Sequence, residues 1–329
     1  MKRLSRLFIL LFTVVGLASC SKEIKFNGDE SESKLVIYSV ARAGEPLQVE
    51  VSHSAFFLKS GPIENYIGAL KPDEGSVKLF VNGSMVPYVL VRREPQPDIT
   101  DLPDAPLFYE STYVPAEGDR LRLVISFPGF DEASAETQVP YCTELTVNSV
   151  TPRAVNDEYT GLYHYYDLTL TINRGSDPSC YYGIRPYLHF EDTYAEFTAS
   201  EYYSWNLESD DFLFQGNGSM TDQLSQLLSN DDVSMLFANT KIPSSSYTFR
   251  GSFMGYDIDL MRAEGATANY FLVFTTMNRD LYYYRTSHAT ASNSSSFSIF
   301  SEATSIYSNV KGGYGCFCAA SSKKIALGL

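Results

Sequence analysis

Histidine and tryptophan are scarce in this 329-residue chain: four of the first and one of the second. None of the four histidines (His53, His164, His189, His288) belongs to an H-E-x-x-H pair, the arrangement that sets two zinc ligands on one helix face. No serine stands in G-x-S-x-G, which excludes the nucleophile elbow of the α/β hydrolases. The glycine-rich GNGSM at 216–220 lacks the lysine and the spacing of a phosphate loop. Positive charge is also short, with 25 Lys and Arg against 39 Asp and Glu. That balance argues against nucleic acid, since phosphate binding needs clustered cations. No apolar run reaches the roughly 20 residues that a membrane-spanning helix needs.

What is present first is an address. Lys2, Arg3 and Arg6 precede a twelve-residue apolar stretch at 7–18, followed by Leu17-Ala18-Ser19-Cys20 and a polar continuation. This is the pattern of a secretory signal ending in a lipobox, with residues 1–19 removed and the Cys20 thiol taking a diacylglycerol thioether. Cleavage removes three of the basic residues and no acidic one, leaving a net charge of 22 − 39 = −17. Such a chain is not drawn to anionic lipid head groups, so attachment to the outer membrane is expected through the lipid anchor. Residues 20–34 are polar and acidic and read as a flexible tether. Ser21-Lys22-Glu23 resembles the lysine-plus-acid signal of surface-exported lipoproteins of Bacteroidota, which implies exposure at the cell exterior.

From residue 35 the chain alternates strand-like runs with turn signals every 8–12 residues. LVIYSVA (35–41), QVEVSHS (48–54), SVKLFV (76–81), FYESTYVP (108–115) and RLRLVISF (120–127) carry this pattern. Asn82-Gly83, between two apolar runs, predicts a type I′ hairpin, because both central positions require positive φ. A Pro-rich insert at 94–106 reads as an exposed loop. The expected fold is mainly β. An immunoglobulin-like or transthyretin-like β-sandwich over 35–140 is followed by a larger β-rich domain over 141–329 with one or two short helices, at 221–230 and 279–291.

With Cys20 spent on lipid, four cysteines remain. An oxidising envelope permits bridges, and Cys142 with Cys180 is the candidate pair. Cys316 and Cys318 lie on one face of a strand-like segment and read as packed thiols. No metal or cofactor is expected. The acidic pairs Asp210-Asp211, Asp231-Asp232 and Asp257/Asp259 are what 39 acids produce by chance, and no twelve-residue calcium loop surrounds them. Aromatic residues make up 14% of the chain, led by 24 tyrosines. They suit half-buried strand positions. The segments 181–205 and 281–284 are the candidate contact surface, with Tyr181, Tyr182, Tyr187, Tyr202, Tyr203 and Trp205 as its core.

VPAEGDRLRLVISFPGFDEASAETQVP, SMLFANTKIPSSSYTF, YFLVFTTMNRDLYYYRTS and FSEATSIYSNVKGGYGCF follow the lipobox in order. Together they resemble the Bacteroidota lipoprotein family of domain of unknown function 4249 over nearly the whole mature chain. Cys316 and Cys318 depart from the aliphatic and small residues expected there. The resemblance implies a neighbourhood of TonB-dependent outer-membrane receptors and no established activity. The expected function is a non-catalytic, surface-exposed outer-membrane lipoprotein that accompanies such a receptor in ligand capture or uptake. The alternatives are a structural or assembly subunit of an envelope complex, and an envelope enzyme processing glycosides or peptides.

Overall fold

The computed structural model describes residues 32–54, 70–86, 91–93, 106–157, 161–194, 197–214, 235–263, 265–297 and 305–329. Cys20, most of the tether, nearly all of the Pro-rich insert and the helix expected at 221–230 lie outside these residues. In chain order the strands are β1 (Leu35–Arg42), β2 (Gln48–His53), β3 (Ser76–Val81), β4 (Ser84–Met85), β5 (Val91–Arg93), β6 (Leu107–Glu110), β7 (Arg120–Ser126) and β8 (Ala133–Gln138). They continue with β9 (Leu145–Asp157), β10 (Gly161–Asn173), β11 (Tyr181–Tyr194), β12 (Phe197–Ser204), β13 (Met235–Ala238) and β14 (Ser246–Gly255). Helix α1 (Ile258–Ala263), β15 (Thr267–Met277), helix α2 (Arg279–Phe297) and β16 (Tyr314–Ala326) complete the chain. The protein is mainly β, as the alternation implies.

The strands form three sheets. One is nine-stranded, in the order β12-β11-β15-β16-β1-β2-β6-β5, with β13 also paired to β11. The second is β4-β3-β7-β8, and the third is β14-β10-β9. Alternation on β1 sends Leu35, Ile37 and Ala41 inward, where they meet Leu79, Leu121, Leu123 and Ile125 of the four-stranded sheet. This is the first core. The second gathers Leu168, Leu170 and Ile172 of β10, Tyr182, Ile184 and Leu188 of β11, and Phe249 and Phe253 of β14. Each large side chain so buried contributes about 1.5–3 kcal/mol.

The boundary expected after Pro140 is not a break in the hydrogen bonding. β1 pairs in parallel with β16, from Val36↔Tyr314 to Arg42↔Ala320, and β16 pairs on its other side with β15. The strand at the end of the chain thus joins the sheet that begins it. The physical reason is that β1, unpaired on that side, would expose a row of backbone donors and acceptors. Phe317 and Ala319 of β16 enter the first core, and Ile325 packs against the second. Cys316, Cys318 and Ala320 point to the opposite face, under Leu281, Tyr282 and Tyr284 of α2.

Two local devices fix this arrangement. The Asn82-Gly83 hairpin is present, with φ of 51° and 85°, and closes Val81↔Ser84. Asn82 also donates from Nδ2 to Asp119 Oδ1 (2.9 Å) and accepts the Arg120 N–H (3.0 Å), so the turn is tied to β7. Gly315 adopts φ 98° where β16 runs beside β1, and a Cβ there would collide with the Ile37 carbonyl. Pro186 shows the same economy inside β11. Its carbonyl accepts the Trp205 N–H (3.1 Å), so its nitrogen faces that edge too. There the β13 pairing ends at Ile184 and the β12 pairing starts at Tyr187, so no ladder bond is lost.

The two glycines predict different costs. Gly83→Ala meets open space and should cost only the backbone penalty, about 1 kcal/mol. Gly315→Ala adds a backbone collision and should cost upwards of about 2 kcal/mol. Denaturant unfolding of both variants checks the order. Equal costs would mean that the β1–β16 approach is not tight.

Candidate functional site

The six candidate contact residues do not form one surface. Strand alternation on β11 turns Tyr182 into the second core, where it is 1% exposed. Its hydroxyl accepts the Gly175 N–H (3.2 Å), and burial pushes its pKa up to about 12. Tyr181 points the other way and stacks on Tyr282 of α2 (centroids 3.7 Å apart), seating the helix. Tyr187 stacks on its cross-strand neighbour Phe271 at 5.5 Å. Tyr202 is 59% exposed and stacks on its partner His189 at 4.6 Å. The Lys324 ammonium lies 5.6 Å from the Tyr202 ring and 5.3 Å from that of Phe271. Tyr203 and Trp205 pack against the second core and meet Tyr256 edge-on at 5.6 and 5.5 Å. Tyr182 belongs to the core, and Tyr202 with its half-buried neighbours to a different face from Tyr203 and Trp205. A run of aromatic residues in a strand is divided by its period of two. In the 281–284 segment, Tyr282 and Tyr284 pack down on the sheet.

Of the acidic pairs, Asp231-Asp232 lies outside the described residues, and one member of each of the other two is engaged in hydrogen bonds. Asp257 accepts the Asp259 and Leu260 N–H groups (3.0 and 3.1 Å) at the start of α1. Asp211 accepts the Leu213 N–H (3.0 Å) and the Tyr247 hydroxyl (3.0 Å). Among the described residues no three His, Cys, Asp or Glu side chains are grouped to hold a metal.

A recess of about 1230 Å³ lies where the two cores meet. Its walls are β7 and β8, the connection 139–143, the loop 174–180 and the first residues of α2. Several bonds hold these pieces together. Ser321 donates to the Pro140 carbonyl (2.6 Å) and Thr143 to the Asn173 carbonyl (2.9 Å). Asn278 is the hub. Its Oδ1 accepts the Leu281 N–H (3.1 Å) as the helix cap, and the Ala319 N–H (3.3 Å) of β16, while its Nδ2 donates to Thr137 Oγ1 (2.8 Å) of β8. Asn239 fixes the loop by donating to the carbonyls of Gly175 (2.8 Å) and Asp177 (2.7 Å).

Cys142 and Cys180 both line this cleft, but they are free thiols and not the bridge expected. Each has another partner. Cys180 donates to Asp177 Oδ2 (3.5 Å), and Cys142 accepts the Thr276 hydroxyl (3.8 Å). Burial raises both thiols, Cys180 to about 12 with the Asp177 charge adding to the effect. The expectation for the other pair is corrected too. Cys316 and Cys318 are joined as a disulfide. Their shared strand face brings the Cα atoms to 5.9 Å, within bridging range.

Arg120, Arg122, Arg174 and Arg279 line the same cleft and were invisible as a group in the sequence, being spread over 160 positions. The one local signal was Asn278-Arg279-Asp280, a capping residue ahead of a helix.

Asp177 generates a prediction. The Ser179 hydroxyl (2.7 Å) and N–H (2.8 Å) hold its carboxyl below the usual value against the opposing effect of burial. A depressed folded-state pKa stabilises above the unfolded value, near pH 4, and that contribution is lost as pH falls through the folded value. Asp177→Asn should flatten the acid limb of stability against pH. It should also lower the Cys180 pKa and raise its iodoacetamide alkylation rate at pH 9, read by peptide mass spectrometry. Unchanged alkylation would show that burial alone silences the thiol. Under denaturing, non-reducing conditions Cys142 and Cys180 should be labelled and Cys316 and Cys318 should not.

No curated protein matches the chain. A family model does, over residues 21–326, which spans the cleft and all of β16. The chain therefore belongs to the family described as domain of unknown function (DUF4249).

Proposed function

We propose that the protein is a lipid-anchored lipoprotein of the outer membrane, facing the cell exterior, that accompanies a TonB-dependent receptor in ligand capture or uptake without catalysing a reaction. The observation that carries this reading is Leu17-Ala18-Ser19-Cys20 at the end of the basic and apolar leader. An anchor confines the protein to two dimensions and raises its effective concentration beside a membrane partner. A mature charge of −17 limits non-specific adhesion and suits a basic patch on that partner. The family resemblance supplies the receptor as the partner class. The N-terminal layers, two sheets over the first core, are proposed to be of immunoglobulin-like or transthyretin-like type. The engagement of Asp211 and Asp257 with backbone N–H groups favours binding over acid–base chemistry at those pairs.

Affinity purification from native membranes in mild detergent tests the reading. A TonB-dependent barrel should be recovered with the wild-type protein, and Cys20→Ser should move the protein out of the membrane fraction or leave an uncleaved precursor. Recovery of a lone monomer, or a Cys20→Ser protein that still fractionates with the outer membrane after a high-salt wash, would overturn it.

A further inference from the structure

We propose that the junction cleft binds a small organic polyanion through the guanidinium groups of Arg120, Arg174 and Arg279. Four of the chain's 14 arginines line this one recess, in a protein whose net charge is −14 before processing. Arg122 is paired across the strands with Glu136 at 3.7 Å. Among the described residues the other three make no ion pair, although acids stand beside them in the cleft. Those acids are committed to the fold. Asp177 holds Ser179 and Cys180, and Asp280 accepts the Tyr307 hydroxyl (2.5 Å) and Asn309 Nδ2 (3.2 Å). The carboxylates of Asp177 and Asp280 are thus engaged by hydrogen bonds within the fold and that of Glu136 by Arg122, while the charges of Arg120, Arg174 and Arg279 are left to the recess.

Arg279 adds an independent sign. It is the first residue of the nineteen-residue helix α2, whose N-terminus opens on the cleft. A cation there opposes the helix dipole, whose positive end favours anions. Its side chain lies 5.3 Å from the Tyr283 ring. Three arginines and a helix N-terminus thus line one recess. Bound oxyanions would then take both the planar guanidinium forks and the helix field. At about 1230 Å³ and open to solvent, the recess admits a ligand of metabolite size. Carboxylate and phosphate share this chemistry. The inference deepens the ligand-capture reading and rests on it only in taking this cleft as the ligand's seat.

Calorimetric titration of the full mature protein in mild detergent, at about 50 mM salt, is the test. The probes are citrate for carboxylates, fructose 1,6-bisphosphate for phosphates and glucose as the neutral counterpart. At least one anion should bind saturably, and glucose should not bind. Arg174→Gln should weaken binding about tenfold or more, and the triple change Arg120→Gln, Arg174→Gln, Arg279→Gln should abolish it. Arg153→Gln should leave binding unchanged, because that guanidinium is paired with Asp167 on the β9–β10 hairpin (2.9 Å). All three cleft arginines are exposed, so circular dichroism should show the variants folded. The proposal is overturned if neither anion titrates, or if the triple variant binds like the wild type. Receptor recovery is read separately, so a protein that keeps its barrel but binds no anion refutes this inference alone.

Discussion

The parallel pairing of β1 with β16 is the contact on which the rest of the structure depends. A first strand needs a partner on both sides when it lies inside a sheet, and the chain meets that need from its other end. β16 then serves both cores and the helix α2 at once. Phe317 and Ala319 enter the first, Ile325 leans on the second, and Cys316, Cys318 and Ala320 carry α2. Its six consecutive buried residues, Cys316–Ser321, are what a strand covered on both faces requires.

The cleft follows from that seam. Two cores joined along one strand leave a recess where their remaining walls diverge. Asn278 sets its floor by bonding β8, β16 and the first turn of α2 together. Side chains on rigid elements are held there by backbone geometry and lose little freedom when a ligand arrives. The same geometry explains the quiet thiols. Cys142 and Cys180 occupy the cleft wall, but burial raises both, and Asp177 adds its charge at Cys180.

Much of the local structure was legible. The Asn82-Gly83 turn was readable because only residues tolerant of positive φ serve there. The alternation of LVIYSVA marks β1, and the segment from Arg279 forms a helix in spite of three tyrosines, because Asn278 caps it. What the chain concealed is what depends on distance in space. The β1–β16 pairing links residues about 280 positions apart, and no local period encodes it. The aromatic run at 181–205 looked like one surface until register assigned Tyr182 to the core and Tyr187 and Tyr202 to the opposite face from Tyr203 and Trp205. Asp257, weighed as a metal ligand, is a cap for α1, a helix too short to leave a periodic signal. The cleft arginines come from β7, a loop and a helix start, and only the fold assembles them.

The central claim is that one strand makes the two cores a single cooperative unit. Differential scanning calorimetry of the mature protein tests it most directly. The account predicts one transition whose calorimetric and van't Hoff enthalpies agree, because neither core can open without breaking β16. Two resolved transitions, or a calorimetric enthalpy well above the van't Hoff value, would show that the cores unfold separately and would contradict it.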